Sequence, residues 1–379
     1  MNSLKERALE YHRKGPGKIK TQPVHEELTK DELALAYTPG VGEVSSAIHA
    51  GEVSVNDVTT KNTTIAVVSD GSAVLGLGNI GPEAAMPVME GKAILFKEFS
   101  GLNAVPICLN TQDTEEIISI VKALEPTFGG VNLEDISAPR CFEIEERLKK
   151  EMNIPVMHDD QHGTAVVVTA GMINALKLTG RTFEGARFVV SGAGAAGVAI
   201  TKMLNNMGAE DIVVLDSKGA IVEGRGDLNE VKQQLAKDTN PEKRSGTMAD
   251  VLAGADVFIG VSAPGILSKE MVQSMANDPI VFALSNPVPE IMPDIAKDAG
   301  AAIVSTGRSD FPNQVNNVLA FPGLFKAALE HKTGSITEDM KMKAAQALAN
   351  HIEPDPEHIL PDVFDKTVVP AIVEALRIS

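Results

Sequence analysis

Hydrophobic and polar positions along the 379-residue chain fall into two blocks of short apolar runs separated by amphipathic stretches. Runs at 64–68, 104–109, 128–133 and 154–157 are of strand length and mostly apolar, as expected of strands covered on both faces. Between them, 114–124 and 139–151 carry apolar residues at three- and four-residue spacing and predict helices. A helix over 164–178 leads into the second block, with strand-like runs at 186–190, 211–215, 257–260, 280–284 and 302–304. Residues 1–60 read as mainly helical, broken at Gly15-Pro16-Gly17 and Pro39-Gly40, and helices return at 337–350 and 368–376. This alternation predicts an α/β fold of two domains, each with a mainly parallel sheet flanked by helices. The expected boundaries are 1–160, including the helical N-terminal segment; 161–310, a Rossmann-type nucleotide-binding domain; and 311–379, a helical segment packing back on the first domain.

The second block opens on a phosphate-binding pattern. The run RFVVS is followed by Gly192-Ala193-Gly194-Ala195-Ala196-Gly197 and then by a helical stretch. The next run, DIVVL, ends at Asp216, an acid at about the 20-residue distance that the dinucleotide fingerprint calls for. Glycines here permit a tight turn and close approach of backbone to pyrophosphate at a helix N-terminus. Asp216 would accept hydrogen bonds from ribose hydroxyls and repel a 2′-phosphate, which favours NAD; Ser217 and Lys218 beside it leave NADP possible. An earlier glycine pattern, Gly76 to Gly81, is followed at once by Pro82, and its next strand ends in Asn110 instead of an acid. It reads as a backbone turn near the site.

Two acidic pairs, Glu134-Asp135 and Asp159-Asp160, each close a strand-like run. Ligand groups in open α/β sheets gather beyond the carboxyl ends of strands. Carboxylates converging there repel one another unless a hard cation such as Mg²⁺ or Mn²⁺ neutralises them. One pair alone reads as a helix cap; two pairs at two strand ends point to a metal site.

A formal charge of −17, from 34 basic and 51 acidic residues, argues against nucleic acid or an anionic membrane as the main partner. Two cysteines, Cys108 and Cys141, make no disulfide framework and suit a reducing compartment. No apolar stretch spans a bilayer, and the first residues lack an apolar signal core, so a cytoplasmic protein is expected.

Taken together, the motifs resemble those of the malic enzymes in their small bacterial form. The matching segments are Tyr37-Thr38-Pro39-Gly40-Val41-Gly42, Asp70-Gly71 through Gly78, Glu90-Gly91-Lys92, and Gly130-Val131-Asn132-Leu133-Glu134-Asp135. They continue with His158-Asp159-Asp160-Gln161-His162-Gly163-Thr164, Ser285-Asn286-Pro287 and Asn316-Asn317, so the likeness runs from about residue 15 to 375. The resemblance implies oxidative decarboxylation of (S)-malate to pyruvate and CO₂ with reduction of NAD(P), and a homodimer. It implies Glu134, Asp135 and Asp160 as metal ligands, with Asp159 beside them assisting proton transfer. Neutral Lys92 would take the malate hydroxyl proton and Tyr37 would protonate C3. Asn286 would contact the nicotinamide side or the substrate, and Asn317 the substrate carboxylate.

His158 and His162 are four apart, but the first lies at a strand end, so structural hydrogen bonding is expected of both. One departure is visible. Larger members of the family carry an arginine after Asp-Gly, whereas Asp70-Gly71 is followed here by Ser72 and Ala73. The substrate carboxylate clamp is left unassigned, with Lys18 or Lys20 of a neighbouring subunit as a substitute. Competing readings are a malolactic enzyme, a 2-hydroxy acid dehydrogenase that does not decarboxylate, and an idle NAD-sensing module. The last is weakened because no expected ligand or base is missing.

Overall fold

The computed structural model describes residues 3–377 apart from 14, 16, 25–27 and 75. Its strands are β1 (Thr64–Ser69), β2 (Asn103–Cys108), β3 (Gly130–Leu133), β4 (Val156–His158), β5 (Arg187–Ser191), β6 (Asp211–Asp216), β7 (Gly219–Ala220), β8 (Val257–Gly260), β9 (Ile280–Ala283) and β10 (Ile303–Thr306). They form a four-stranded sheet in the order β2-β1-β3-β4 and a six-stranded sheet in the order β10-β9-β8-β5-β6-β7. All pairings are parallel except β6 with β7. Each run read as a strand is one. The two-residue β7 was not anticipated, being too short to show a period.

Alternation along β1 explains its covering. Ile65 and Val67 face Met89 and Phe96 in one apolar cluster, while Ala66 and Val68 face Ile117, Val121 and Ile144 in another. Burying each such aliphatic side chain contributes about 1.5–3 kcal/mol, which is why neither face of the strand carries a charge.

The helix expected from 164 begins five residues earlier, at Asp159, directly from β4. Gly163 does not break it, and two acids in its first turn complement the dipole of the helix. This helix, Asp159–Leu178, packs against Ala195–Asn206 of the second sheet. Met157, Val166, Val190 and Ile200 belong to one continuous core. The two sheets therefore share one core, with a cleft at their carboxyl ends.

Of the C-terminal helices, Phe321–Glu330 packs on Pro82–Ser100 beside the first sheet, and Glu338–Asn350 packs on Asp159–Leu178. Phe321 and Phe325 meet Phe96 edge-on at centroid distances of 4.8 and 5.5 Å. Lys326 Nζ donates to the Ser100 carbonyl at 3.1 Å. By contrast, the helices Leu4–Arg13, Lys30–Ala36 and Gly40–His49 bury no residue. Among the described residues no helix is long and apolar enough to cross a membrane.

Candidate active site

β3 ends at Leu133 and delivers Glu134 and Asp135 to the cleft, both almost fully buried. Asp135 has φ of 55°, a left-handed conformation that costs a non-glycine residue about 1–3 kcal/mol and is retained only where surroundings enforce it. They do: its N–H donates to Asp160 Oδ2 at 2.8 Å and its carbonyl accepts from Ala73 N at 2.9 Å. Oxygens of Glu134, Asp135 and Asp160 all lie within 4.8 Å of one another.

These carboxylates are uncomfortable together. Burial raises the Asp135 carboxyl, Asp160 and Glu134 raise it further, and it is pushed up to about 9. Burial likewise raises Asp160, to about 6, despite the opposing Lys92. Asp135 Oδ2 is buried and accepts no hydrogen bond. A set of crowded, partly unsatisfied carboxylate oxygens fits a hard divalent cation, which takes oxygen donors and offsets their charge. The structure thus brings together the three residues expected as metal ligands.

Lys92 arrives from the helix Pro82–Ser100. Its Nζ lies 2.5 Å from Asp159 Oδ2 and 2.9 Å from Glu134 Oε1, and 4.3 Å from the centroid of the Phe321 ring. Burial alone would lower the pKa of this ammonium, but Asp159, Glu134 and Asp160 outweigh it and raise the value. The neutral Lys92 expected from the resemblance is therefore not its state among the chain's own residues: the adjoining carboxylates hold it charged. Asp159 also accepts from Asn317 Nδ2. Phe321 under the ammonium was not foreseen, since an apolar Ala-Phe-Pro-Gly stretch carries no polar signal.

Of the two histidines, His162 makes the structural hydrogen bonds expected through its ring, whereas the buried His158 ring has no hydrogen-bond partner and His158 bonds only through its backbone N–H. Glu145 accepts from the His158 N–H at 3.0 Å and meets His162 Nε2 at 2.8 Å. Lys341 donates to His162 Nδ1 at 2.8 Å and to Glu338 at 2.6 Å. Burial would raise the Glu145 carboxyl, yet His162 and the nearby lysines hold it well below the usual range. Nothing in the sequence sets Glu145 apart from the exposed Glu143 and Glu146 on the same helix.

Lys18 lines the cleft of its own chain, where its Nζ donates to the Pro87 carbonyl at 2.7 Å. Lys20 is exposed and does not line the cleft. Arg140 pairs with Asp70 at 3.0 Å and braces the Asp70-Gly71 turn. Tyr37, at the end of Lys30–Ala36, is 68 % exposed and is not among the cleft residues. One chain alone does not bring it to Lys92.

The cleft, of about 970 Å³, holds Lys92, Glu134, Asp135, Asp160, Asn286 and Asn317. A neighbouring cavity of about 630 Å³ is lined by Gly192, Ala193, Gly194, Asp216 and Lys232. Gly192 has φ of 122°, and a Cβ there would sit 2.7 Å from the Val261 carbonyl oxygen; one on Gly197 would sit 1.8 Å from the Gly192 oxygen. Only glycine fits this turn. Ala195 opens the helix and Ala196 lines the cleft side of its first turn. Asp216 accepts from Arg225 and, at 2.6 Å, from Lys232. Although burial acts upward, these cations hold its carboxyl far below the usual range. Glu290, fully buried, accepts N–H groups of Ser262 and Ser285, each at 3.0 Å, tying together the loops after β8 and β9. The earlier glycine pattern is a turn, as read: Gly76 packs on the Asn286-Pro287 backbone.

Residues 16–149 match the family model for the malic enzyme N-terminal domain, and residues 161–374 match that for the malic enzyme NAD binding domain. The chain is 57% identical over 378 residues to the bifunctional malic/malolactic enzyme of Bacillus subtilis, spanning 99% of this chain and 92% of that one. It is 54% identical over 363 residues to the NAD-dependent malic enzyme of Geobacillus stearothermophilus, spanning 95% of this chain and 76% of that one. The crystal structure of an NAD-dependent malic enzyme from Thermotoga maritima superimposes with a TM-score of 0.95 at 53% identity, covering 98% of both chains.

Proposed function

This chain belongs to the malic enzyme family, and on that footing we propose that it converts (S)-malate to pyruvate and CO₂ while reducing NAD(P), with Mg²⁺ or Mn²⁺ held by Glu134, Asp135 and Asp160. The observation that carries this reading is the meeting of those three carboxylates with Lys92 in a cleft that opens beside the dinucleotide turn. We further propose a cytoplasmic homodimer whose domains divide at about 160 and 310, with 311–379 returning to the first.

A bound divalent cation supplies Lewis acidity at the malate hydroxyl and later at the keto oxygen. Lys92 is placed to exchange the hydroxyl proton; it turns basic only when the negative charge of Asp159 and Glu134 is offset. Asp159, bonded to Lys92 and Asn317, orients the ammonium and can take up its proton. Asn317 and Lys18 face the cleft as partners for the substrate carboxylates, and Asn286 faces the nicotinamide side. Tyr37 is assigned the proton delivered to C3. Tyr37→Phe is expected to cut pyruvate formation from malate by about 10²-fold or more, with oxaloacetate reduction affected far less. Equal losses in the two assays would make Tyr37 a positioning residue.

Asp216 favours NAD, but Arg225 and Lys232 stand beside it. Asp216→Ser should release both cations toward a 2′-phosphate and raise kcat/KM for NADP relative to NAD by about tenfold. An unchanged ratio would remove Asp216 from nucleotide choice.

A second reading, release of lactate without net NADH, gains weight because the Bacillus subtilis relative of nearly equal length is named for both activities. One experiment tests the assignment: malate turnover with each nucleotide and each metal, scoring NADH, pyruvate, lactate and CO₂. Pyruvate with stoichiometric NADH and CO₂ is the expected result; malate oxidation without CO₂ overturns it.

A further inference from the structure

We propose that Glu145 is a positioning residue for the divalent cation: from a neighbouring helix it clamps the first turn of Asp159–Leu178 and so fixes the two acids that this turn delivers to the cleft. The inference rests on the assignment of Glu134, Asp135 and Asp160 as metal ligands. It adds to them a buried residue that does not itself line the cleft.

The helix Asp159–Leu178 begins without a cap of its own. Its N-cap residue, His158, makes no capping bond through its side chain, and the buried His158 ring has no partner. A buried helix start with free N–H groups is costly, so an acceptor has to come from elsewhere. Glu145 supplies it. Reaching across from Arg140–Glu151, its Oε1 accepts the His158 N–H at 3.0 Å, the bond that a capping box provides from within a helix. Its Oε2 lies 2.8 Å from His162 Nε2, one turn further along. One carboxylate therefore grips the residues on either side of Asp159 and Asp160.

A third element fixes the far side of this grip. Lys341, 1% exposed on Glu338–Asn350, donates to His162 Nδ1 at 2.8 Å and to Glu338 at 2.6 Å. An ammonium has donors only, so Nδ1 is the accepting nitrogen and neutral His162 carries its proton on Nε2, where it donates to Glu145. A single tautomer satisfies both neighbours. Glu145 sits between Ile144 and Leu148 of an apolar cluster, and buried ionic groups in such places stabilise a fold little better than apolar side chains. Its place behind the first turn gives it another use.

That turn holds two parts of the cleft at once. Asp159 pairs with Lys92 at 2.5 Å and accepts from Asn317, while Asp160 Oδ2 accepts the Asp135 N–H at 2.8 Å. Displacing it would move a metal ligand and the counter-charge of Lys92 together. Groups behind a metal's ligands set their orientation, and losing one costs about 10–100-fold in metal affinity.

Glu145→Gln tests this. The amide keeps the size of the side chain and an oxygen for the His158 N–H, but it turns an NH₂ group toward the Nε2–H of His162. The Kd for Mn²⁺, measured by calorimetry, is expected to rise about tenfold or more, while the Kd for NAD stays within about twofold of wild type. Glu146→Gln, at an exposed position on the same helix, should leave both at wild-type values. An unchanged Mn²⁺ affinity in Glu145→Gln overturns the proposal, as do equal losses of Mn²⁺ and NAD affinity, which mark a general loosening of the fold. Should Glu145→Gln fail to fold, Lys341→Met decides: it removes the donor to His162 Nδ1 and should raise the Mn²⁺ Kd about threefold with NAD binding intact, and an unchanged value overturns the clamp. Hydrogen exchange of the metal-free protein is the readout independent of metal, and amides 158–163 should exchange faster in Glu145→Gln than in wild type. Wild-type protein that binds no Mn²⁺ would sink the metal assignment, and the exchange rates would then judge the clamp, equal rates overturning it.

Discussion

Asp135→Asn is expected to abolish metal-dependent malate turnover and, in the absence of metal, to melt at a higher temperature than the wild type. The two effects share a cause. Burial, and then the neighbouring Asp160 and Glu134, push the Asp135 carboxyl up to about 9, so the folded chain resists its ionisation. A carboxyl raised in the folded state contributes fully only below its unfolded value, and the contribution is lost as pH climbs toward the folded one. The advantage of the amide should therefore grow from about pH 4 to about pH 9, reaching about 1–3 kcal/mol. Added Mn²⁺ should reverse the order. A ligand at 100 times its Kd stabilises the wild type by about 2.7 kcal/mol, and the variant gains little. Melting curves with EDTA and with MnCl₂ across that pH range check the sign, and NAD binding should persist throughout. A variant that melts lower than wild type without metal, or that keeps metal-dependent turnover, would show that Asp135 is not the crowded ligand described.

Lys92→Met should fail in both respects at once. Turnover is expected to fall by about 10²–10⁴-fold, the range for removing a positioned proton-transfer group. Stability should fall by about 3–5 kcal/mol, because Asp159 and Glu134 are left buried without their counter-charge. The double variant Lys92→Met with Asp159→Asn separates these losses. Removing one of the stranded carboxylates should restore much of the denaturation midpoint while leaving malate oxidation as slow as in the single variant. Recovery of turnover along with stability would reduce Lys92 to a structural cation.

The difference between what was legible and what was not follows from distance along the chain. β5, the turn Gly192 to Gly197 and Asp216 were readable because the requirement is local: a turn that admits no Cβ, then an acid at the end of the next strand. Glu290, which braces the loops after β8 and β9, was not, because its backbone partners are set by the order of the sheet. Helix start Asp159 was misread because Gly163 resembles a break; its missing side chain instead leaves room for Asp159, whose carboxylate a Cβ would meet at 1.9 Å.

By itself, the sequence determined the alternating architecture, the dinucleotide turn and the placement of two acidic pairs at strand ends, since periodicity, glycine sterics and strand termini act over a few residues. Only the tertiary structure decided that Asp135 meets Asp160, that Lys92 is held charged against Asp159 above Phe321, that Lys18 lines the cleft of its own chain and that Tyr37 stands outside it. Those outcomes depend on the strand order β2-β1-β3-β4 and on burial, which sets the protonation of each group by its neighbours and which no local pattern encodes.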